Sequence, residues 1–280
     1  MKREKRNLLK QVTSLVLAAV MMFSVTAIAA PNSVKAAEKS FAKNGGTVTI
    51  SDEESYVATQ EYSWIKYKAA QDGYLRVKMS NATQLQEIGY AFGTTQLYDA
   101  SRTKALSTES VWSTDAVNAM FVTDYYGVKK GKTYYFKVGS MGGVSVQAQL
   151  TKYKDKSGTK KQKALNIKKG TKGVIGVISA GTTAAHWYKF KLTKNQKLNV
   201  AFTPYLTGPV RVDITGPGIR PYGGTYGSKY YSNADGKIHQ GGWGYKETVS
   251  TDGKVRTGTY YIKVRPNSRT TTGYFKISWK

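Results

Sequence analysis

The chain has 280 residues, 43 Lys and Arg against 17 Asp and Glu, and no cysteine. Without cysteine, neither disulfide bonds nor thiolate metal ligands can contribute to its stability. The formal net charge of +26 attracts polyanions and speeds association with them in a salt-dependent way. A lysine-rich surface that serves solubility alone is the alternative interpretation of this charge.

Residues 1–36 have the organisation of a secretory signal peptide. Five basic residues fall within the first 11 positions, and residues 12–30 form an apolar run without charge. Small residues precede both Ala30 and Ala37, and we expect cleavage before Ala37; an uncleaved N-terminal anchor is the alternative. Cleavage there leaves 37 basic and 16 acidic side chains, a formal charge of +21. The positive charge therefore belongs to the mature chain, in which we expect no transmembrane segment.

A strand-like pattern occurs twice, as Trp-Ile-Lys-Tyr-Lys at 64–68 and as Trp-Tyr-Lys-Phe-Lys at 187–191. A second matching pair follows, Tyr-Tyr-Phe-Lys-Val at 134–138 and Tyr-Tyr-Ile-Lys-Val at 260–264. Side chains alternate between the two faces of a strand, so Ile65 and Tyr67 are expected in the core and Trp64 on the lysine face. The repeat predicts two copies of one β domain.

Alternating segments bounded by turn residues predict short strands along both units. We expect them at 46–50, 64–69, 74–79, 134–138, 144–150, 173–179, 187–191, 198–202, 209–215, 259–264 and 274–279. Asp72-Gly73 is a turn signal that predicts a hairpin between the second and third of these strands. Residues 80–120 are less periodic. Many short strands with hardly any helical periodicity predict an all-β protein of the β-sandwich class.

We predict a first sandwich domain at 37–152, a linker at 153–170 and a second sandwich domain at 171–280. Residues 151–173 contain nine lysines and a single acid, Asp155. Mutual repulsion of these charges should keep the linker extended and solvated, so that the domains can move relative to each other.

Four segments of the second unit together resemble the bacterial pre-peptidase C-terminal domain; they lie at 187–190, 211–217, 258–264 and 273–277. The first unit is similar at 64–67 and 131–138. The resemblance implies two tandem jelly-roll-like β-sandwich domains of the kind found on secreted bacterial proteins, usually appended to peptidases and themselves non-catalytic. It also implies binding of collagen or polysaccharide as in some relatives, and use of calcium as in others.

Catalytic signatures are scarce. The chain has two histidines, His186 at a strand start and His239 in a glycine-rich loop, and we interpret His186 as a packed strand residue. The sequence motifs of serine hydrolases, zinc proteases and phosphate-binding loops do not occur. Members of a Ser-His-Asp triad meet only in space, so an uncharacterised hydrolase stays as an alternative. We expect a protein that is not an enzyme.

Calcium is the metal hypothesis, because hard cations take several oxygen ligands. Asp52, Glu53 and Glu54 supply three acids within one short turn. A solvated acidic turn is the alternative, since the spacing matches no defined calcium loop. No other cofactor is expected.

Residues 216–246 are the strongest recognition candidate. They contain nine glycines, six aromatic and four basic residues and one acid. Aromatic rings stack on sugars and cations, while Lys and Arg attract anionic groups. A long loop packed over the end of a sheet is the alternative. The candidate ligand-binding residues are Arg220, Tyr222, Tyr226, Lys229, Tyr230, Tyr231, Trp243 and Tyr245.

The leading hypothesis is a secreted or cell-wall-associated binding protein, typical of a Gram-positive bacterium. Its expected partner is a cell-surface polysaccharide or another polyanion. An adhesin or accessory module that binds a host matrix protein such as collagen, with calcium, is the second hypothesis. Non-specific binding of nucleic acid is supported by charge alone.

Overall fold

The computed structural model describes residues 38–50, 62–81, 90–115, 121–141, 143–218, 229–232, 247–250 and 254–280. Within these ranges all regular structure is β-strand apart from one short 3-10 helix, Lys161–Lys163. The predicted all-β class is therefore confirmed. The predicted signal peptide at 1–36 lies outside the described residues.

Within the described residues, the first sandwich contains nine strands. They are β1 (Lys39–Ser40), β2 (Thr47–Ile50), β3 (Ser63–Lys68), β4 (Gly73–Asn81), β5 (Tyr90–Tyr98), β6 (Ser110–Asp115), β7 (Phe121–Val128), β8 (Thr133–Met141) and β9 (Val144–Lys152). One sheet has the order β1-β3-β8-β5-β6 and the other β2-β9-β4-β7. The two sheets pack face to face over a common core.

The described part of the second sandwich also contains nine strands. They are β10 (Leu165–Asn166), β11 (Gly170–Ile178), β12 (His186–Leu192), β13 (Asn199–Leu206), β14 (Val210–Thr215), β15 (Lys229–Ser232), β16 (Glu247–Ser250), β17 (Gly258–Pro266) and β18 (Gly273–Trp279). Its sheets have the orders β10-β12-β17-β14-β15 and β11-β18-β13-β16. Adding nine to each strand number of the first sandwich gives these orders, so the two halves share one topology.

The repeat extends to the register of paired residues. Trp64 on β3 lies opposite Lys137 on β8, and Trp187 on β12 lies opposite Lys263 on β17. In both sandwiches the short first strand runs parallel to the Trp-bearing strand, while the other neighbours are antiparallel. The similarity between the halves is therefore a duplication of strand pairing as well as of sequence pattern.

The predicted alternation along the Trp strands is confirmed. Ile65 and Tyr67 are 0% and 7% exposed, and Tyr188 and Phe190 are buried in the same way. Each sandwich closes around its own apolar cluster, in which Phe136 of the first and Phe275 of the second are fully buried. Removing one such ring from water stabilises the folded state by about 2–3 kcal/mol, before the conformational entropy lost on folding is subtracted.

The predicted hairpin at Asp72-Gly73 is wrong. Strand β3 belongs to one sheet and β4 to the other, so the chain crosses the sandwich between them. Asp72 bonds other segments instead: its Oδ1 accepts the amide of Lys130 at 2.8 Å and its carbonyl accepts the amide of Tyr153 at 3.0 Å. A Cβ at Gly73 would lie 2.0 Å from the carbonyl oxygen of Thr151, so this position requires glycine for close approach of the backbones.

Residues 153–170 differ from the expected extended and solvated linker. Ala164 and Ile167 are buried, and β10 within this segment pairs with β12. The amides of Ser157 and Val177 both donate to the carboxylate of Asp155. The segment thus forms the first strand of the second sandwich, and its lysines point outward from a backbone that is held in place.

The two sandwiches contact each other directly, and residues 36–280 form one compact unit. The Thr272 hydroxyl donates to the carbonyl of Ile178 at 2.9 Å and accepts the amide of Gly127 at 2.9 Å. The amide of Ala180 donates to the Gly127 carbonyl at 2.9 Å. These buried bonds join β7 to the second half, which opposes the free relative motion expected from the lysine-rich segment.

Candidate functional site

The outer face of the five-stranded sheet in the first sandwich combines aromatic rings with cations. Because Ile65 and Tyr67 point inward, Trp64 and Lys66 point outward. Lys66 lies opposite Tyr135 on β8, which in turn lies opposite Tyr98 on β5. We call this set the first Trp face; its members are Tyr62, Trp64, Lys66, Tyr98, Arg102, Tyr135 and Lys137.

Cations cover the rings of the first Trp face. The Lys137 ammonium lies 3.5 Å from the centroid of the Tyr62 ring, and the Arg102 guanidinium lies 4.3 Å from that of Tyr135 and 5.7 Å from that of Trp64. Each such contact contributes about 0.5–1 kcal/mol at an exposed site. Partial burial also lowers the pKa of the Lys137 ammonium below its ordinary value. The rings therefore hold the cations in fixed places.

A local turn positions Arg102. The Asp99 carboxylate accepts the Ser101 hydroxyl at 2.9 Å and the amides of Thr103 and Lys104. Arg102 itself adopts the left-handed backbone conformation, with φ of 62°. A non-glycine residue in this region costs free energy and persists only where its surroundings enforce it. The turn thus fixes where the guanidinium meets the sheet.

One carboxylate, Glu38, neutralises part of the first Trp face. Its oxygens bind the Lys66 ammonium at 3.2 Å, the Arg102 guanidinium and the Tyr135 hydroxyl. The hydrogen bond from Lys66 is the main cause that holds the pKa of Glu38 below its ordinary value, and the charge of Arg102 adds to it. The carboxylate of Glu109 also acts electrostatically on Tyr62 and Lys137, so three cations stand against two carboxylates and the described face is net positive.

The second sandwich carries an equivalent surface, which we call the second Trp face; its members are Lys161, Trp187, Tyr261 and Lys263. The Lys263 ammonium lies 5.3 Å from the centroid of the Trp187 ring, and the Lys161 ammonium lies 4.7 Å from that of Tyr261. Asp213 is bound by Arg211 at 2.8 Å on the neighbouring strand β14. In both sandwiches, lysine side chains thus lie over aromatic rings of the five-stranded sheet.

The composition of residues 216–246 predicts a recognition site elsewhere, in that segment. Arg220, Tyr222, Tyr226, Trp243 and Tyr245 lie outside the described residues. Strand β15 falls within this segment, so the segment is not wholly a loop. The backbone register places Lys229, Tyr230 and Tyr231 opposite Asp213, Val212 and Arg211 of β14, respectively.

The calcium hypothesis receives no test, because Asp52, Glu53 and Glu54 lie outside the described residues. Among the residues that the structure describes, no group of three His, Asp or Glu side chains could hold a metal ion. The same part of the chain contains no helix that is both long and apolar enough to cross a membrane.

A serine, a histidine and an aspartate meet where the chain enters the second sandwich. His186 is buried, and its Nδ1 lies 2.8 Å from both Asp155 Oδ2 and Ser157 Oγ. A catalytic triad requires the serine on one ring nitrogen and the carboxylate on the other. Because both partners share Nδ1, these three side chains do not have triad geometry. The group instead fastens residues 155–157 to β12, which agrees with the packed role expected for His186.

Neither a protein-family model nor a curated protein matches this sequence. Among solved structures, the chain is similar to the tandem CBM22 domains of Paenibacillus barcinonensis Xyn10C, at 10% identity over 77% of this chain and 80% of that one, with a TM-score of 0.23. Tripeptidyl peptidase 2 matches at 12% identity over 84% of this chain and 22% of that one, with a TM-score of 0.27. Allantoicase from Saccharomyces cerevisiae matches at 11% identity over 78% and 77%, with a TM-score of 0.23. Likeness at this level carries no functional argument.

The class of protein follows from the topology and the site. The chain is an all-β protein with two sandwiches of the same strand order, each presenting a Trp face on its five-stranded sheet.

Proposed function

We propose that this protein is a secreted, non-catalytic binding protein that attaches to anionic polymers, charged polysaccharides among them, through its two Trp faces. The observation that carries the proposal is the stacking of Lys137 on Tyr62 and of Arg102 on Tyr135, repeated in kind by Lys263 and Trp187. The resemblance to the pre-peptidase C-terminal domain remains part of the same proposal.

Preorganised cations favour binding of a polyanion. A free lysine or arginine side chain loses up to about 2 kcal/mol of rotamer entropy when it is fixed on a ligand. Contact with a ring restricts the side chain beforehand, so less entropy is lost when the polymer binds. A cation above a ring also presents its remaining N–H donors to the solvent side, where sulfate, phosphate or carboxylate oxygens can accept them.

The same arrangement disfavours a neutral sugar as the main ligand of the described faces. Stacking of a sugar requires an open aromatic face. The Trp64 ring is met at its edge by Tyr98, with ring centroids 5.2 Å apart, and Arg102 lies over it. Tyr135 is buried beneath Arg102 and Lys66. The first Trp face therefore offers charge to a ligand more than it offers aromatic surface.

The test is binding of residues 36–280, which form a compact unit, to immobilised polygalacturonate and immobilised dextran. Polygalacturonate carries a carboxylate on each sugar, whereas dextran is neutral. We expect binding to polygalacturonate at about 50 mM NaCl and its loss at about 500 mM, since screening weakens exposed charge pairs. We expect no binding to dextran at either salt concentration. Equal binding to both polymers, or none to polygalacturonate at low salt, would contradict the proposal.

A further inference from the structure

A cleft of about 440 Å³ opens at one end of the first sandwich, beside the first Trp face. Its floor is apolar, formed by Phe41, Tyr67 and Leu150, and Phe41 packs edge-on against Tyr67 with ring centroids 6.2 Å apart. Burial raises the pKa of Tyr67 to about 12, so its hydroxyl stays protonated and uncharged at neutral pH. A volume of this size is within the range of pockets that hold small ligands.

Four lysines line this cleft: Lys43, Lys66, Lys68 and Lys152. No carboxylate occurs among its described lining residues. Lys66 is paired with Glu38, whereas Lys43, Lys68 and Lys152 are exposed and have no carboxylate partner within the described part of the chain. Several positive charges around one concavity attract an anion to it.

The second sandwich shows that the cleft is a feature of one copy. Counting along β9 and β18 from the pairs Ile50–Val144 and Ile178–Gly273, Leu150 corresponds to Trp279. The Trp279 ring stacks on Phe190 with centroids 4.4 Å apart, and its Nε1 donates to the carbonyl of Ile167 at 3.0 Å. The indole therefore fills the end of the second core, whereas the smaller Leu150 leaves the corresponding place in the first sandwich open.

We propose that this cleft of the first sandwich is a binding site for a phosphoryl group carried on a polyol or sugar. Ammonium groups act as separate point charges, which suits the several acceptor oxygens of a tetrahedral anion. The apolar floor, with the side chains of Ser40 and Gln71 beside it, accommodates the carbon skeleton that carries the anion. Lys66 belongs to both the first Trp face and the cleft, but Lys43, Lys68 and Lys152 line the cleft alone. The inference therefore stands apart from the proposed function, because these three lysines can bind a small anion whether or not the Trp faces bind a polymer.

The experiment is a titration of ¹⁵N-labelled residues 36–280 with glycerol 3-phosphate, inorganic phosphate and glycerol, followed by amide chemical shifts. We expect saturable shifts that cluster at residues 40–44, 66–71 and 150–152 with glycerol 3-phosphate, and none with glycerol. Tighter binding of glycerol 3-phosphate than of inorganic phosphate supports the apolar floor as part of the site. Equal affinity for the two, or shifts spread over the basic surface without saturation, would overturn the proposal.

Two variants separate the cleft from general charge. Replacing Lys43, Lys68 and Lys152 by glutamine should weaken glycerol 3-phosphate binding about tenfold or more. The matched control removes three exposed lysines of the second sandwich, Lys172, Lys191 and Lys194, and should leave the affinity unchanged. Leu150→Trp, which copies Trp279, should abolish binding without changing net charge. An equal loss in the cleft and control variants would refute the site even if the Leu150→Trp protein fails to fold.

Discussion

Tyr74 of the first sandwich stacks on Tyr274 of the second, with ring centroids 4.1 Å apart and planes 22° apart. Tyr205 stacks on Tyr274 at 4.5 Å, and the edge of Tyr125 meets Tyr274 at 5.0 Å. Tyr274 is 7% exposed, and burial together with its tyrosine neighbours raises its pKa well above the ordinary value. This Tyr cluster (Tyr74, Tyr125, Tyr205 and Tyr274) joins the two halves into one unit.

We therefore expect Tyr274→Ala to uncouple the halves. Truncation of a large buried ring costs about 3 kcal/mol or more, and here both sandwiches contact the missing ring. Urea unfolding followed by tryptophan fluorescence should change from one transition to two, with the first at lower urea than in the wild type. Tyr261→Ala, outside the interface, is the control and should keep a single transition. A single unshifted transition for Tyr274→Ala would show that the halves do not depend on this ring.

Because of Asp155, the free energy of unfolding should decrease in acid. Burial of its carboxylate raises its pKa, but the hydrogen bonds and charge of His186, with the amides of Ser157 and Val177, outweigh burial and lower the pKa below 3.8. A lowered folded-state pKa contributes stability above the unfolded value, and this contribution is lost as pH falls through the folded value. An asparagine has only one acceptor oxygen, so Asp155→Asn should cost about 1–3 kcal/mol at pH 7.

The measurement is the free energy of unfolding of wild type and Asp155→Asn between pH 7 and pH 2.5. The difference between the two proteins should narrow as the pH falls below 3.8, because the Asp155 carboxylate takes up a proton there. A difference that stays the same down to the lowest pH would mean that the carboxylate charge contributes nothing.

The ring beneath Lys137 should affect polyanion binding without any change of charge. Tyr62→Leu removes the π face that holds the ammonium at 3.5 Å but keeps an apolar side chain over Gly139. Without the ring the ammonium must be ordered when the polymer binds, and a cost of about 0.5–1 kcal/mol for ordering one side chain corresponds to roughly two- to fivefold weaker binding of polygalacturonate. The control is Tyr153→Leu, the same change of residue type at a tyrosine outside both Trp faces. It should bind polygalacturonate like the wild type. Equal polygalacturonate affinity of Tyr62→Leu and wild type would show that the Tyr62 ring does not help Lys137 to bind the polymer.

The strands were predictable because alternation is a local property. The alternation at Ile65 and Tyr67 predicts a strand with one buried face, whichever strand pairs with it. Strand pairing is not local: Asp72-Gly73 is compatible with a hairpin, but the Asp72 carboxylate accepts the amide of Lys130 and the Asp72 carbonyl accepts the amide of Tyr153, both distant in sequence. The same holds for residues 153–170, where the charge pattern predicts a solvated linker but the sparse apolar residues Ala164 and Ile167 fix it to the core.

The Trp faces were only partly predictable. The sequence placed Trp64 among lysines, but it could not show that Arg102, from a turn between β5 and β6, lies over Tyr135. The run Asp99-Ala-Ser-Arg was the available signal, because Asp followed two residues later by Ser is typical of a side-chain-stabilised turn. The cleft depends on Leu150 in place of tryptophan, a difference that gains meaning only when β9 and β18 are aligned by their register.

We propose that the Trp faces, and not net charge alone, hold the polymer, and the first Trp face is the one whose cations are described most fully. The direct measurement compares polygalacturonate affinity at low salt for two triple glutamine variants that lose the same charge: Lys66, Arg102 and Lys137 on the face, or Lys129, Lys130 and Lys132 in the exposed turn before β8. Three surface charge contacts of about 0.5 kcal/mol each predict roughly tenfold weaker binding for the face variant and little change for the turn variant. Equal loss in both variants would contradict the claim and leave charge alone as the explanation.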